Sequence, residues 1–370
     1  MNKNICYLTY QTFPALTANS LQTISNIKYF IKNNCSVSLI YPLREKMSSD
    51  SLQKIKNYYD ISESFDIKTI QHNYPFGKIK IFEGLMFHIS HFLWARKAVK
   101  LINKESYDFF ITRSDWVFYY LLKNTNKNVI FECHKTSKLR KFLLKNSLKK
   151  DNAKVVYLNK KLKNFFSEIS NDNNSIVLHN GVDLENFNSS EVKNNDVIFV
   201  GNLQRYSKSR NLTFAIDGFV KSRLSDSFSL TIIGGPAEKS NLLKEYVMKN
   251  YSDIDINIYG QLSRGEAIKF MNKAKIGILI NDNKDLHSFL HTSPLKYFEY
   301  LAANLQIVAS NNPAHRELPY SENIKFYDQN NLLSFSDALE KASNSKNTEV
   351  DVEQISLDRR IKLLLKFVNN

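Results

Sequence analysis

What most constrains the fold of this chain is an alternation that runs through it twice. Short runs rich in β-branched and aromatic residues alternate with longer stretches of helical period, the pattern of a parallel sheet covered by helices. In the first half the runs are ICYLTY from Ile5, SVSLIY from Ser36, FDIKTI from Phe65, DFFITR from Asp108, NVIFEC from Asn128, KVVYLN from Lys154 and SIVLHN from Ser175. The stretches between them are typified by SLQTISNIKYFIKNN, whose Leu21, Ile24, Ile27 and Ile31 recur at helical spacing. After a polar stretch, NSSEVKNND, the alternation restarts with DVIFVGN, SLTIIGG, DINIYG, KIGILIN, LQIVAS and NIKFYD.

The expectation is an α/β chain of two doubly wound, Rossmann-like parallel-sheet domains facing a central cleft. The first spans residues 1–190, the second 191–350, and the final SLDRRIKLLLKFVNN reads as an amphipathic helix within residues 351–370. Open α/β sheets bind ligands beyond the carboxyl ends of their strands, so the loops after these runs are where chemistry is expected.

Composition narrows the function. A length of 370 residues fits two domains, and 43% hydrophobic residues with 12% aromatics is too rich for a disordered chain. Cys6, Cys35 and Cys133 are widely spaced and form no CxxC, which points to neither a disulfide framework nor a zinc site and suits a reducing cytoplasm. The start, MNKNICYLTY, lacks the long apolar stretch of a signal peptide, and IFEGLMFHISHFLWA is too short and too often interrupted to span a bilayer. A net charge of +15 calls for an anionic partner: nucleic acid, an acidic membrane or a phosphorylated substrate. Nucleic acid is disfavoured, because the basic residues lack interleaved aromatics and no reader motif occurs.

One stretch concentrates the signals. In HTSPLKYFEYLAANLQIVAS, from His291, Thr292 and Ser293 are N-cap residues and Pro294 suits a first helical position, so a helix is expected to start at 293 or 294. Its free N–H groups form a site for phosphate, with Lys296 close by. Leu295, Phe298, Leu301 and Ala302 fall on the buried stripe, Glu299 at its margin, and Asn304 at the helix exit. A capped core helix with a solvated glutamate explains the same residues.

This stretch resembles the signature of the retaining family 4 glycosyltransferases of the GT-B fold, in which two glutamates separated by seven residues flank the loop that holds the donor diphosphate. The resemblance implies that Glu299 binds the nucleotide ribose. His291 stands where the family has its first glutamate, which contacts the donor sugar, and Asn304 and Gln306 replace the usual Gly and Pro. SIVLHNGVDLENF resembles the family's inter-domain segment through Asn180, Gly181, Val182, Asp183 and Phe187. VIFVGNLQRYSKSRNLTFAIDGF resembles its first donor-domain strand and loop, implying that Gly201 opens the loop and that Lys208, with Arg205 as second choice, neutralises the diphosphate. SLTIIGGPAEKSNL matches the next strand and turn, and Tyr259, Gly260 and Gln261 match the turn beside the nucleotide base. In the first half, His134 matches a histidine that bonds the transferred sugar.

The resemblance thus implies a nucleotide-diphosphate sugar donor, a saccharide or lipid-linked saccharide acceptor, retention of configuration and a role in surface polysaccharide synthesis. His134, His291 and Lys208 are the catalytic candidates, and Gly201, Arg205, Lys208, Tyr259, Gly260, Gln261, Thr292, Ser293, Pro294, Leu295, Lys296 and Glu299 the donor-binding ones. No cofactor and no metal are expected; Asp282 and Asp285 in NDNKD read as a polar loop. Residues 135–154, KTSKLRKFLLKNSLKKDNAK, form either a helix that docks on an anionic membrane or a core-facing helix with a solvated basic face. The first would place a cytoplasmic protein on the inner membrane surface. The alternative activities are a nucleotide-sugar epimerase or hydrolase of the same fold and a catalytically inert sugar-binding relative.

Overall fold

The computed structural model describes residues 2–15, 17–44, 47–72, 82–170, 173–205, 208–281, 285–346 and 348–369, without the side chains of Arg205, Lys208 and Ser209. The first seven apolar runs form one parallel sheet. In chain order its unit contains β1 (Lys3–Leu8), α1 (Ala18–Lys32), β2 (Cys35–Leu43), α2 (Leu52–Tyr59), β3 (Asp66–Gln71), α3 (Glu83–Leu101) and β4 (Phe109–Thr112). It continues through α4 (Asp115–Asn124), β5 (Asn128–Cys133), α5 (Lys138–Ser147), β6 (Ala153–Tyr157), α6 (Lys160–Phe165) and β7 (Ser175–Val177). Strand order is β3-β2-β1-β4-β5-β6-β7, so the winding reverses between β1 and β4.

The second unit repeats the plan with β8 (Asp196–Val200), a hairpin of β9 (Gln204–Arg205) and β10 (Lys208–Ser209), α7 (Leu212–Lys221), β11 (Ser229–Ile233), α8 (Ala237–Asn250) and β12 (Ile256–Tyr259). It goes on through α9 (Arg264–Lys273), β13 (Ile276–Leu279), α10 (Leu295–Ala302), β14 (Gln306–Ser310), α11 (Pro313–Arg316), β15 (Ile324–Tyr327) and α12 (Leu332–Asn344). Its parallel strands lie in the order β12-β11-β8-β13-β14-β15, and the winding reverses between β8 and β13. The β9–β10 hairpin has no counterpart in the sequence reading, because strands of two residues carry no period.

The first unit comprises Met1–Leu178 with Leu357–Asn370, and the second His179–Ser356. The division therefore falls before the polar stretch rather than at residue 190. Residues 179–190 pack on the second unit: Val182 N–H bonds Ile355 C=O at 3.0 Å, and Asn188 N–H bonds the Asn272 side chain at 3.2 Å. The last helix, α13 (Leu357–Asn369), covers the SLDRRIKLLLKFVNN segment and follows a 3-10 turn at Val352–Ile355. Its Leu357, Ile361, Leu364 and Val368, one helical face, join Ile24, Ile27 and Phe30 of α1 in the core on one side of the first sheet. Trp94, Phe118, Leu144 and Leu162, from α3 to α6, fill the other side.

A buried charge cluster fixes α13 in place. Glu132 of β5 accepts from Arg113 Nε at 2.9 Å, Arg360 Nη2 at 2.7 Å and the Tyr7 hydroxyl at 2.8 Å. Burial alone would raise its pKa, but the charges of Arg113 and then Arg360 outweigh that and hold the carboxyl far below its ordinary range. Glu132→Gln should destabilise the protein by about 3–5 kcal/mol, since two guanidinium groups would lose their buried counter-charge. Because the folded pKa is depressed, this contribution is complete above the ordinary carboxyl range and disappears as pH falls toward the folded value. Urea midpoints measured across that acid range should therefore fall less steeply for Glu132→Gln than for the native chain.

Candidate functional site

The carboxyl ends of β8, β11 and β12 are tied together through their following loops. Gly201 N–H donates to Ile233 C=O at 3.0 Å, Leu203 N–H to Gly235 C=O at 2.8 Å, and Gly234 N–H to Gly260 C=O at 3.2 Å. The approach is so close that a Cβ on Gly234 would stand 1.9 Å from the Gly201 oxygen, so only glycine fits. The hairpin rises from this floor and is closed by Arg210, whose N–H bonds Leu203 C=O at 2.9 Å and whose Nη1 reaches Ile280 C=O at 3.2 Å. Arg205 and Lys208, the two expected diphosphate bases, pair across the hairpin backbone. Their side chains lie outside the described part of the structure.

At the reversal of strand order β8 and β13 pair only through Val197 with Ile276 and Ile198 with Gly277. Tyr300 of α10 serves the groups left beyond that point: its hydroxyl accepts from Val200 N–H at 3.1 Å and donates to Ile278 C=O at 3.4 Å. Gly277 makes this possible, because a Cβ there would lie 2.6 Å from the tyrosine ring. The head of α10 is thereby fixed at the place where ligands of such sheets bind.

That head differs from the expectation. The helix begins at Leu295, with Pro294 in the N-cap position and no side-chain cap. Ser293 is engaged elsewhere: its hydroxyl accepts from Asn180 N–H at 3.0 Å, and its carbonyl takes the Asn180 side-chain amide. The Asn-Gly-Val-Asp turn is thus pinned to the start of α10. Thr292 is half-buried, and His291 is buried at the end of a π-helical turn, His287–His291. Asp285 caps that turn, accepting from His287 N–H at 3.2 Å and the Ser288 hydroxyl at 2.8 Å, while Asp282 lies outside the described residues.

Glu299 is buried rather than marginal, its side chain 5% exposed. Arg264 Nη1 bonds one carboxylate oxygen at 2.7 Å and Lys296 Nζ the other. Burial would raise the pKa, yet the charges of Lys296 and then Arg264 keep it below the ordinary value, so the group is a carboxylate. Leu295, expected on the buried stripe, is half-buried; Tyr297 and Tyr300 lie in the core instead, their hydroxyls bonded to the Pro319, Val200 and Ile278 main chain.

Arg264 opens α9 behind a capping box in which the Ser263 hydroxyl accepts from Glu266 N–H and the Glu266 carboxylate accepts from Ser263 N–H. It stands three residues after Gln261, so the Glu299 pair joins the Tyr259–Gly260–Gln261 turn to α10. Tyr259 is 37% exposed and packs on Phe270 at 4.9 Å, while Gln261 is exposed. The capping box was readable in the sequence and places Arg264 at a helix head; its partner 35 residues away was not.

His134 belongs to the first unit, one residue beyond β5. Burial, with the Arg113 charge next, holds its pKa well below the ordinary value, so the imidazole is neutral. Its Nε2 has no hydrogen-bond partner among the described residues.

Residues 194–344 match the family model described as glycosyl transferases group 1. No curated protein matches the chain in sequence. A solved glycosyltransferase from Rickettsia africae ESF-5 shares the fold with a TM-score of 0.72 at 14% identity, over 100% of this chain and 98% of that one. The lipopolysaccharide outer core galactosyltransferase WaaB, in its apo form, gives 0.65 at 12% identity over 99% of each chain. A mutant TarM from S. aureus, in complex with Fondaparinux, alpha-GlcNAc-glycerol and UDP, gives 0.67 at 11% identity over 100% of each. Likeness at these identities shows the fold, two Rossmann-like parallel-sheet units of GT-B type. With the family model it supports a glycosyltransferase.

Tyr300→Phe should lower stability by about 1–3 kcal/mol by stranding the Val200 N–H. Gly277→Ala should cost about 1–3 kcal/mol by forcing the ring aside. Chemical denaturation of the full chain checks both, and a Tyr300→Phe protein as stable as the native one would refute the bridging role of the hydroxyl.

Proposed function

We propose that the protein is a retaining glycosyltransferase that moves a sugar from a nucleotide-diphosphate donor to a saccharide or lipid-linked saccharide in surface polysaccharide synthesis. The observation that carries this reading is the buried Glu299 carboxylate on the second turn of α10, held by Lys296 and by Arg264, which follows the turn after β12. An ionised carboxylate accepts hydrogen bonds at about four lone-pair sites, and the two cations leave others for the ribose hydroxyls. Departure of the sugar puts negative charge on the diphosphate. The opening N–H groups of α10, Lys208 and Arg205 supply donors and positive charge there, so the reading needs no metal ion.

His134, neutral and with a buried Nε2 that no described residue bonds, would give the transferred sugar a hydrogen bond. The acceptor hydroxyl attacks on the face that the diphosphate leaves; its proton passes to a departing phosphate oxygen and the glycosidic bond forms as the anomeric C–O bond breaks. No protein nucleophile is assigned. His291, at the end of the buried turn, reads the donor sugar in place of a carboxylate. A lipid-linked acceptor would bring the protein to the inner face of the cytoplasmic membrane.

A thermal-shift screen against UDP-, GDP-, ADP-, CMP- and dTDP-sugars tests the class, because a ligand that binds only the folded chain raises its melting temperature. UDP derivatives come first, since the TarM complex holds UDP. No shift with any of them would overturn the reading, and donor turnover without acceptor would make the enzyme a hydrolase or epimerase. Glu299→Gln should weaken donor binding by about 10- to 100-fold, the worth of hydrogen bonds to a charged group. Calorimetry on the folded variant reads this directly. His291→Glu should alter the ranking of donor sugars, and because His291 is buried it should also lower the melting temperature of the free protein, so donor affinities are compared on the folded variant.

A further inference from the structure

The segment expected to be a basic amphipathic helix divides its cations between two tasks. Arg140 is turned inward, with Nε and Nη2 on the Asp115 carboxylate at 2.6 and 3.1 Å and its guanidinium over Phe131. Lys150 bonds the Leu122 carbonyl, and Lys154 is buried with its ammonium 5.2 Å from the Phe367 ring. These cations hold the fold together. Lys138, Lys145 and Lys149 are exposed, and Lys141 stands half-buried beside them.

Helical geometry puts Lys138, Phe142 and Lys145 on one face, within about 60° of each other. Leu143, Leu144 and Ser147 occupy the opposite, buried face. Phe142 therefore has no part in the core; it is 63% exposed among lysines. The neighbouring helix, α6, repeats the composition, with Lys160 exposed at its first position and Phe165 42% exposed at its last. Lys141 joins the two helices: its ammonium lies 5.6 Å from the Phe165 ring and 2.8 Å from Glu168.

The structure assigns the α5–α6 face, Lys138, Phe142, Lys145 and Lys149 with Lys160 and Phe165, as a docking surface for an anionic phospholipid bilayer. Lysines around exposed phenylalanines match such a surface twice over: the ammonium groups meet the headgroup charge and the rings enter the interface. Duplex nucleic acid is the other polyanion, but the face carries no arginine to read base edges, Arg140 being bound to Asp115. The surface deepens the proposed use of a lipid-linked acceptor. It is tested without reference to catalysis, so its failure and that of the donor site are separable.

The test is co-sedimentation of the full chain with vesicles of phosphatidylcholine alone and vesicles rich in phosphatidylglycerol. Binding is expected only to the second, weakening as salt is raised. The combined variant Lys138→Gln, Lys145→Gln and Lys149→Gln should bind about 100-fold more weakly, at roughly fivefold per lysine. Phe142→Ser should weaken binding further where salt has already screened the charges. All four positions are exposed, so circular dichroism should stay unchanged. Equal sedimentation with both vesicle types, or an unaffected triple variant, overturns the assignment. So does a chain that ignores phosphatidylglycerol yet loses duplex DNA binding in the triple variant.

Discussion

Two strands that part company create the constraint on which the second unit is built. Where β8 and β13 diverge, the Val200 N–H and the Ile278 C=O lie in the interior, and buried main-chain groups must be paired. A tyrosine hydroxyl can accept from one and donate to the other at once, and Tyr300 does both. Its ring needs the space that Gly277 leaves, so a residue without a side chain on the sheet and a large one on α10 form a single device. The orientation of α10, and with it the residues on its first two turns, follows from satisfying those two groups.

Adjacent to Tyr300, Glu299 brings a charge into the same buried layer, which is stable because two cations from different elements meet it. Lys296 comes from its own helix and Arg264 from the head of α9, so the charge cluster locks the turn after β12 to α10. The first unit handles its titratable group differently. His134 follows a strand with a buried carboxylate, but both Glu132 oxygens are taken by Arg113, Arg360 and Tyr7, and burial with the surrounding positive charge leaves the imidazole neutral. Each unit thus fixes the protonation state of a polar group at or near the carboxyl end of its sheet, the region where such folds bind ligands.

The Glu132 cluster also explains why the chain's last helix belongs to the unit that contains its beginning. Arg360 and Glu132 are 228 residues apart in sequence, and the apolar stripe of α13 completes the core beside α1. Buried ion pairs give little net stability, but an unpaired partner is costly, so the arrangement penalises any packing of α13 that leaves Arg360 without Glu132.

The sequence by itself determined the order and kind of the elements. The runs from Ile5 to Tyr327 became the strands of the two sheets because hydrophobic period is a local property of a peptide, readable without knowing its neighbours. Asn304 likewise stands at the exit of α10, where it takes the left-handed conformation that asparagine tolerates. Tertiary structure alone decided the partners. Ser293 was read as a cap, yet its hydroxyl serves Asn180; Glu299 was read as marginal, yet Arg264 makes its burial tolerable; the basic segment from Lys135 was open to two readings, yet Phe142 faces outward on a helix whose Leu143 and Leu144 face in. In each case the deciding group lies far along the chain or on another element, and period carries no information about contacts that form only when separate elements are packed.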